Sequence, residues 1–138
     1  MATYMGKAQL TTKYQGFHEI TADVQKIVAD SGIKAGFAIL HCHHTTCSLT
    51  ITSFWDPNGH LDMMEEIEKI VPTRSDFHHQ FDTPTDASGH IKTSLLGSNL
   101  TLIVQDGKAF LGSSQGLFLA EFDGPRTRQF FVKVVADS

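Results

Sequence analysis

Residues 35–52 read AGFAILHCHHTTCSLTIT and join two predicted strands through a histidine-rich turn. Its two ends, 35–40 and 48–52, are rich in the Leu, Phe and β-branched side chains that are typical of strands. Further runs of the same kind follow at 100–105, 116–122 and 129–135. The pair Asp106-Gly107 after the first of these predicts a hairpin turn. These patterns indicate a protein built mainly from sheet.

Two other segments have the periodicity of amphipathic helices. In the first, a capping hydroxyl at Thr21 and an early acid at Asp23 introduce apolar residues at helical spacing, which end near Gly32. The second begins at Asp56-Pro57 and keeps the 3.6-residue period until Pro72. Two helices among many short strands, without βαβ alternation, predict an α+β fold with a mainly antiparallel, β-sandwich-like arrangement.

Length and composition favour a single domain spanning residues 1–138. The hydrophobic fraction of 41% is enough to close one core. A formal net charge of −4 offers no basic stripe, so nucleic acid is not an expected partner. The first ten residues lack the basic-then-apolar pattern of a leader, and no apolar run reaches the length of a membrane span. We therefore expect a cytoplasmic protein without a membrane partner.

Cys42 and Cys47 are the only cysteines in the sequence. Two cysteines are too few for a secreted disulfide scaffold, and their spacing is not that of a C-x-x-C motif. We expect both to be reduced thiols in the core.

Eight histidines, against eleven Lys and Arg, are the first indication of function. Histidine is the side chain most used for metal ligation and proton transfer near neutral pH. Strand alternation places His44 on one face and His41 with His43 on the other, if the strand extends that far. Exposed loop positions are the simpler explanation for the latter two. Convergence of such histidines with His79 and His90 would supply ligands for a zinc-like ion with one open position, which spacing alone does not establish.

Polar residues in two turns are candidates for anion contacts. Thr46 and Ser48 can cap their own turn or contact a phosphate or carboxylate. Arg126 can pair with Asp123 across the Gly124-Pro125 turn or present its planar fork to a phosphate. The residues leave both alternatives open at both turns.

The order of several short motifs resembles the YjbQ-like (UPF0047) family. Each motif is commonplace alone, but their ordered occurrence from about Leu10 to the C-terminus is specific. The motifs are His44-Thr45-Thr46-Cys47-Ser48-Leu49-Thr50-Ile51, Asp56-Pro57 with Asp62, His90-Ile91-Lys92, Ser94-Leu95-Leu96-Gly97, Leu111-Gly112, Gln115-Gly116 and the run from Glu121 to Arg126.

The resemblance implies a compact α+β fold assembled as a ring-like homotrimer, with sites close to the subunit contacts. It also implies that His44, His79 and His90 hold a divalent metal ion, Zn or similar, or an anion. His79 is preferred to His78 because Phe77 matches the aromatic residue that the family carries two positions before its histidine.

Other polar residues take their expected roles from the same resemblance. Asp62 and Glu121 are the implied catalytic carboxylates, and Asp62 is expected to be less exposed than Glu65 and Glu66. The implied substrate or anion contacts are Thr46, Ser48, Arg126 and Gln115.

The family's associated activity is a secondary thiamine-phosphate synthase reaction, and a small phosphorylated metabolite is therefore the expected partner. The reaction joins an aminopyrimidine diphosphate to a thiazole phosphate with loss of pyrophosphate. This chain departs from the family at Ser114, where a Trp is common, and at Thr52-Ser53, where an Asn-Glu pair is common. The alternative is a non-catalytic protein that binds a phosphorylated metabolite or a divalent metal.

Overall fold

The first strand of the 35–52 stretch lies in the middle of a five-stranded sheet in the computed structural model, which describes residues 2–138. Strand β3 alternates between buried and exposed residues along its whole length, because one face packs on the core. The strands of this sheet, in spatial order, are β1 (Thr3–Thr11), β8 (Thr127–Ala136), β3 (Gly36–Cys42), β5 (Asn99–Gln105) and β6 (Lys108–Ala109).

A smaller sheet of three strands packs against the first. Its spatial order is β2 (Gly16–Glu19), β7 (Gln115–Glu121) and β4 (Cys47–Ser53). One buried apolar cluster contains Leu40 and Val132 from the five-stranded sheet together with Leu49 and Leu119 from the three-stranded sheet. Every strand pairing in the described residues is antiparallel, which confirms the predicted α+β class with antiparallel sheet.

The hairpin predicted at Asp106-Gly107 connects β5 to β6. Asp106 has φ 53° and Gly107 has φ 74°, so both central residues adopt the left-handed conformation that a type I′ turn requires. The prediction from the Asp-Gly pair is confirmed.

Both predicted helices are present. Helix α1 (Thr21–Ser31) ends at Gly32, whose φ of 69° forms a left-handed cap. Helix α2 (Pro57–Ile70) begins at Asp56, whose side chain accepts a hydrogen bond from the backbone N–H of Asn58. Within residues 2–138, no helix combines the length and apolar character needed to cross a membrane.

The prediction of only two helices is wrong, because a third helix, α3, spans Pro84–Leu96. Its buried residues are mostly small or polar and form no apolar stripe: Asp86, Ala87, Ser88, Gly89, Lys92 and Thr93. A period search based on apolar residues therefore passes over it. The sequence nevertheless carries a signal for the start of this helix, because Thr83 caps it and Pro84 lies in its first turn.

A buried ion pair lies where β7 ends and β8 begins. Glu121 is fully buried and Arg128 is 3% exposed, and two hydrogen bonds join their side chains, one of them 2.8 Å long from Nε to Oε1. The carboxylate also accepts hydrogen bonds from the Thr12 hydroxyl at 2.8 Å and from the Asp123 backbone N–H at 3.1 Å. Arg128 Nη2 donates to the Thr46 hydroxyl at 2.8 Å, which attaches the β3–β4 turn to the pair.

Replacement of one partner of this pair should destabilise the fold strongly. Glu121→Gln would leave the Arg128 guanidinium buried without a counter-charge, so we expect a loss of about 3–5 kcal/mol in the free energy of unfolding at pH 7. Glu65→Gln, an exposed change on α2, should stay within about 0.5 kcal/mol of the parent protein. Chemical denaturation measures the free energy of unfolding of both variants.

Acidification provides a second readout of the same pair. Burial acts to raise the pKa of Glu121, but the hydrogen bonds from Arg128 and Thr12 hold that pKa below its ordinary value. The stabilisation is therefore complete above the ordinary Glu pKa of about 4.3 and is lost as the pH falls below it. Glu121→Gln should lose less stability over that acidic range than the parent protein does, and parallel pH profiles would contradict this account.

Candidate metal centre

Helix α3 brings an acid and a histidine together on one of its faces. Asp86 lies in the first turn and His90 follows four residues later, a spacing that places two side chains one above the other. His90 Nε2 lies 3.2 Å from Asp86 Oδ2. Thr83 and Pro84 set where helix α3 begins, and so they determine which of its residues face this site.

His79 reaches the same carboxylate oxygen from the segment that connects α2 to α3. Its Nε2 lies 3.1 Å from Asp86 Oδ2, and its ring lies 5.3 Å from the His90 ring, centroid to centroid. We refer to His79, Asp86 and His90 as the histidine–aspartate group. Their ligand atoms all lie within 4.8 Å of one another, and residues 2–138 contain no other group of three His, Cys or carboxylate side chains that meets this closely.

The histidine–aspartate group is buried on the acid side and open on the histidine side. The Asp86 side chain is 8% exposed, whereas the side chains of His79 and His90 are 47% and 40% exposed. Burial acts to raise the pKa of Asp86, but the hydrogen bond from His79 and the charge of His90 hold it below its ordinary value. Asp86 is therefore an anion at neutral pH, with two imidazole nitrogens directed at it.

A cleft of about 450 Å³ adjoins the two histidines. Its apolar lining comes from Phe77, Ala87 and Ile91. Arg74 lies at its edge, with its guanidinium carbon 4.5 Å from the centre of the Phe77 ring. The cleft thus combines an apolar surface, the three imidazoles of His78, His79 and His90, and one cation, which suits a compact ligand that carries negative charge.

The structure does not bring His44 into the histidine–aspartate group. Strand β3 ends at Cys42, so the strand alternation that was extended to His44 does not apply there. The His44 Nε2 atom instead accepts a hydrogen bond from the backbone N–H of Gln129 at 3.0 Å. Burial and the nearby Arg128 charge lower the pKa of His44, so the ring is neutral and serves as an acceptor. His41 is exposed, as its strand position predicts.

The two predicted catalytic carboxylates lie elsewhere. Glu121 is held in the buried pair with Arg128. Asp62 is exposed like its neighbours Glu65 and Glu66, and in the described part of the chain its carboxylate has no hydrogen-bond or ion-pair partner. The physical reason is that α2 packs on the protein through Met63, Met64 and Ile67, and Asp62 lies on the opposite side of the helix.

The predicted anion contacts are mostly engaged with the protein itself. The Thr46 hydroxyl accepts from Arg128, and Gln115 Oε1 accepts from the Gly112 backbone N–H at 2.9 Å. Ser48 is fully buried, and its hydroxyl has no hydrogen-bond partner within residues 2–138.

Arg126 takes the pairing alternative and is linked to helix α3 through Asp123. Its Nη2 donates to Asp123 Oδ2 at 2.7 Å. Asp123 Oδ1 in turn accepts from the Thr85 hydroxyl at 2.8 Å, on the residue next to Asp86. The Arg126 guanidinium is about half exposed, so an anion can still contact it.

Asp86 is the site residue that the sequence analysis did not select. The signals that identify it are its place four residues before His90 and the Thr83-Pro84 helix start before it. At Ser114 the resemblance led us to expect a Trp. The indole Nε1 of Trp55 donates to the Ser114 hydroxyl at 3.2 Å, so an aromatic ring reaches this position from another part of the chain.

Comparisons with known proteins agree with this fold over nearly the whole chain. Residues 6–137 match the family model described as UPF0047 protein YjbQ-like. The chain is 39% identical over 127 residues to UPF0047 protein MJ1081 of Methanocaldococcus jannaschii, covering 92% of this chain and 90% of that protein. It is 34% identical to UPF0047 protein YugU of Bacillus subtilis, covering 91% and 93%.

Solved structures give the same result. A YbjQ-like protein of unknown function from Sulfolobus solfataricus superposes with a TM-score of 0.91 at 26% identity, and the match covers 98% of both chains. Sequence and fold therefore agree, and the chain belongs to the YjbQ-like UPF0047 family.

Proposed function

We propose that this protein is a metal-dependent enzyme that binds a divalent ion of the zinc type at the histidine–aspartate group and acts on a small phosphorylated substrate. The observation that carries the proposal is the convergence of two Nε2 atoms on one buried carboxylate oxygen beside a cleft. Two histidines and one carboxylate are the ligands of many catalytic zinc sites.

The distances in the group suit such an ion. A tetrahedral ion with bonds of about 2.0–2.1 Å places its ligand atoms roughly 3.3 Å apart. The two nitrogen-to-oxygen distances here, 3.1 Å and 3.2 Å, are close to that separation, and all three ligand atoms lie within 4.8 Å of one another. Three protein ligands leave a fourth position free for water or substrate, on the side where His79 and His90 are exposed.

The surroundings suit a phosphorylated substrate. Arg74 at the cleft provides a guanidinium group for phosphate oxygens, while Phe77 and Ile91 provide an apolar surface for a ring. The family resemblance supplies the candidate reaction, in which thiazole phosphate displaces pyrophosphate from an aminopyrimidine diphosphate. A divalent ion would bind the leaving pyrophosphate and offset its developing charge.

One observation favours the alternative of a non-catalytic binding protein. Neither carboxylate that the sequence offers for acid–base catalysis is near the group, since Glu121 is paired with Arg128 and Asp62 lies exposed on α2. The same cleft could therefore hold a phosphorylated metabolite, or the group a divalent metal, without turnover.

The neighbouring histidines His78 and His79 offer a matched test of metal binding. Only His79 belongs to the group, although both line the cleft. We expect His79→Ala to weaken Zn²⁺ binding on the order of 100-fold and His78→Ala to leave it within about threefold. Titration against a chromophoric chelator measures both affinities. Equal losses in the two variants would contradict the ligand assignment.

Turnover separates the enzyme from the binding protein. Purified protein should form thiamine phosphate from the two precursors in the presence of Zn²⁺ or Mn²⁺, and either a chelator or His90→Ala should abolish the product. His18→Ala, at a position outside both the histidine–aspartate group and the cleft, should retain turnover. Release of pyrophosphate and formation of product are measured together. Tight precursor binding without product would leave the non-catalytic alternative in place.

We also propose that the chain assembles as a homotrimer through the outer face of the five-stranded sheet. Met5 and Ile103 are 63% and 64% exposed there, and Phe37 and Ile39 are 40% and 39% exposed. The strand register places Phe37 opposite Ile103, so both side chains lie on the face of the sheet that points away from the core. Exposed apolar side chains grouped on one face of a sheet are typical of a contact between subunits.

A charge on this face should dissociate the assembly. Light scattering should give about three times the 15.2 kDa chain mass for the parent protein. Ile39→Asp should shift the mass towards that of one chain, because a carboxylate would be buried in the contact. Ile70→Asp, at a 71% exposed position on α2, serves as the control and should keep the parent mass. A stable monomer of the parent protein at micromolar concentration would contradict this proposal.

A further inference from the structure

The two cysteines face each other across the turn that joins the two sheets. Cys42 is the last residue of β3 and Cys47 is the first residue of β4. Their Sγ atoms lie 3.3 Å apart, and the residues are 1% and 0% exposed. They are the only cysteines in the sequence, so each has the other as its only partner within one chain.

The turn between them is anchored at both of its sides. Thr46 is bound to Arg128, and His44 accepts from the Gln129 backbone N–H. These contacts hold the strand ends in register and keep the sulfurs facing each other. A disulfide has an S–S bond of about 2.05 Å, so the sulfurs need to approach by roughly 1.2 Å, which side-chain rotation and a small shift of the turn can supply.

We propose that Cys42 and Cys47 form a reversible disulfide when the protein meets a peroxide oxidant. One thiolate attacks a peroxide oxygen and gives a sulfenic acid, with release of hydroxide. The second thiol then attacks that sulfur, and the new S–S bond forms with loss of water. In total, two thiols are oxidised and hydrogen peroxide is reduced to two water molecules. A small-molecule thiol returns the pair to the reduced state by exchange.

The location gives the bond a structural effect. In this proposal, a small oxidant reaches the buried sulfurs by local opening of residues 43–46, which lie outside both sheets. The bond would then close the 42–47 turn covalently between the two sheets. Helix α3 approaches this turn closely, because a Cβ atom at Gly89 would lie 3.3 Å from Thr46 Cβ. This inference goes beyond the proposed function and does not depend on it.

The experiment treats the parent protein with hydrogen peroxide in the presence of a chelator, which removes metal-driven oxidation. Intact-mass analysis should then show a loss of about 2 Da per chain, and alkylation after denaturation should find no free thiol. Dithiothreitol should restore both thiols. Cys42→Ser and Cys47→Ser should form no disulfide within a chain and should instead take up oxygen or cross-link between chains.

Three results would overturn the inference. The first is a parent protein that keeps two alkylatable thiols after peroxide exposure sufficient to oxidise a free thiol peptide in the same tube. The second is conversion to sulfinic acid without loss of hydrogen, and the third is a disulfide that forms only between chains. All three results are measured on the parent protein, so poor folding of a serine variant does not affect the test.

Discussion

The buried pair of Glu121 and Arg128 is the interaction on which the remaining architecture depends. A charge pair without solvent is tolerated only when each polar atom has a partner, and here the partners come from several different elements. Through Thr46, the pair fixes the β3–β4 turn. Through the Asp123 backbone, it fixes the turn between β7 and β8.

Both of these turns support helix α3. Thr46 lies against Gly89, where a side chain would crowd the turn, and Asp123 accepts a hydrogen bond from the Thr85 hydroxyl. The first turn of α3 is thus held at the end of the smaller sheet. Asp86 and His90 take their positions from this contact, although neither touches the ion pair itself. Polar contacts, with little apolar packing, therefore set the geometry of the candidate metal centre.

This dependence explains which parts of the fold the sequence could predict. Strand β3 and helices α1 and α2 have apolar residues at regular spacing, and their location was predicted within a few residues. Helix α3 buries small and polar residues, so its apolar pattern is weak and it was missed. Strand β1 was missed for a related reason, because its residues alternate between exposed and only partly buried positions.

The candidate site could be predicted only in part. His79 and His90 were selected from the family resemblance, and the structure brings them together on Asp86. His44 was selected from the same resemblance and from an alternation extended beyond the end of β3, but its Nε2 accepts a hydrogen bond from the backbone of Gln129. Asp86 was overlooked because helix α3 was not predicted, and without the helix its place four residues before His90 indicates no shared face. His79 reaches Asp86 only through the fold of the 71–83 segment, which has no regular secondary structure.

The account depends most directly on where a metal ion binds. Crystals of the protein soaked in Zn²⁺ can be measured on both sides of the zinc absorption edge, and the anomalous difference locates the ion. The account predicts one strong peak at about 2.0–2.2 Å from Nε2 of His79, Nε2 of His90 and Oδ2 of Asp86. A peak ligated by His44 without Asp86, or no peak at these three atoms, would contradict it.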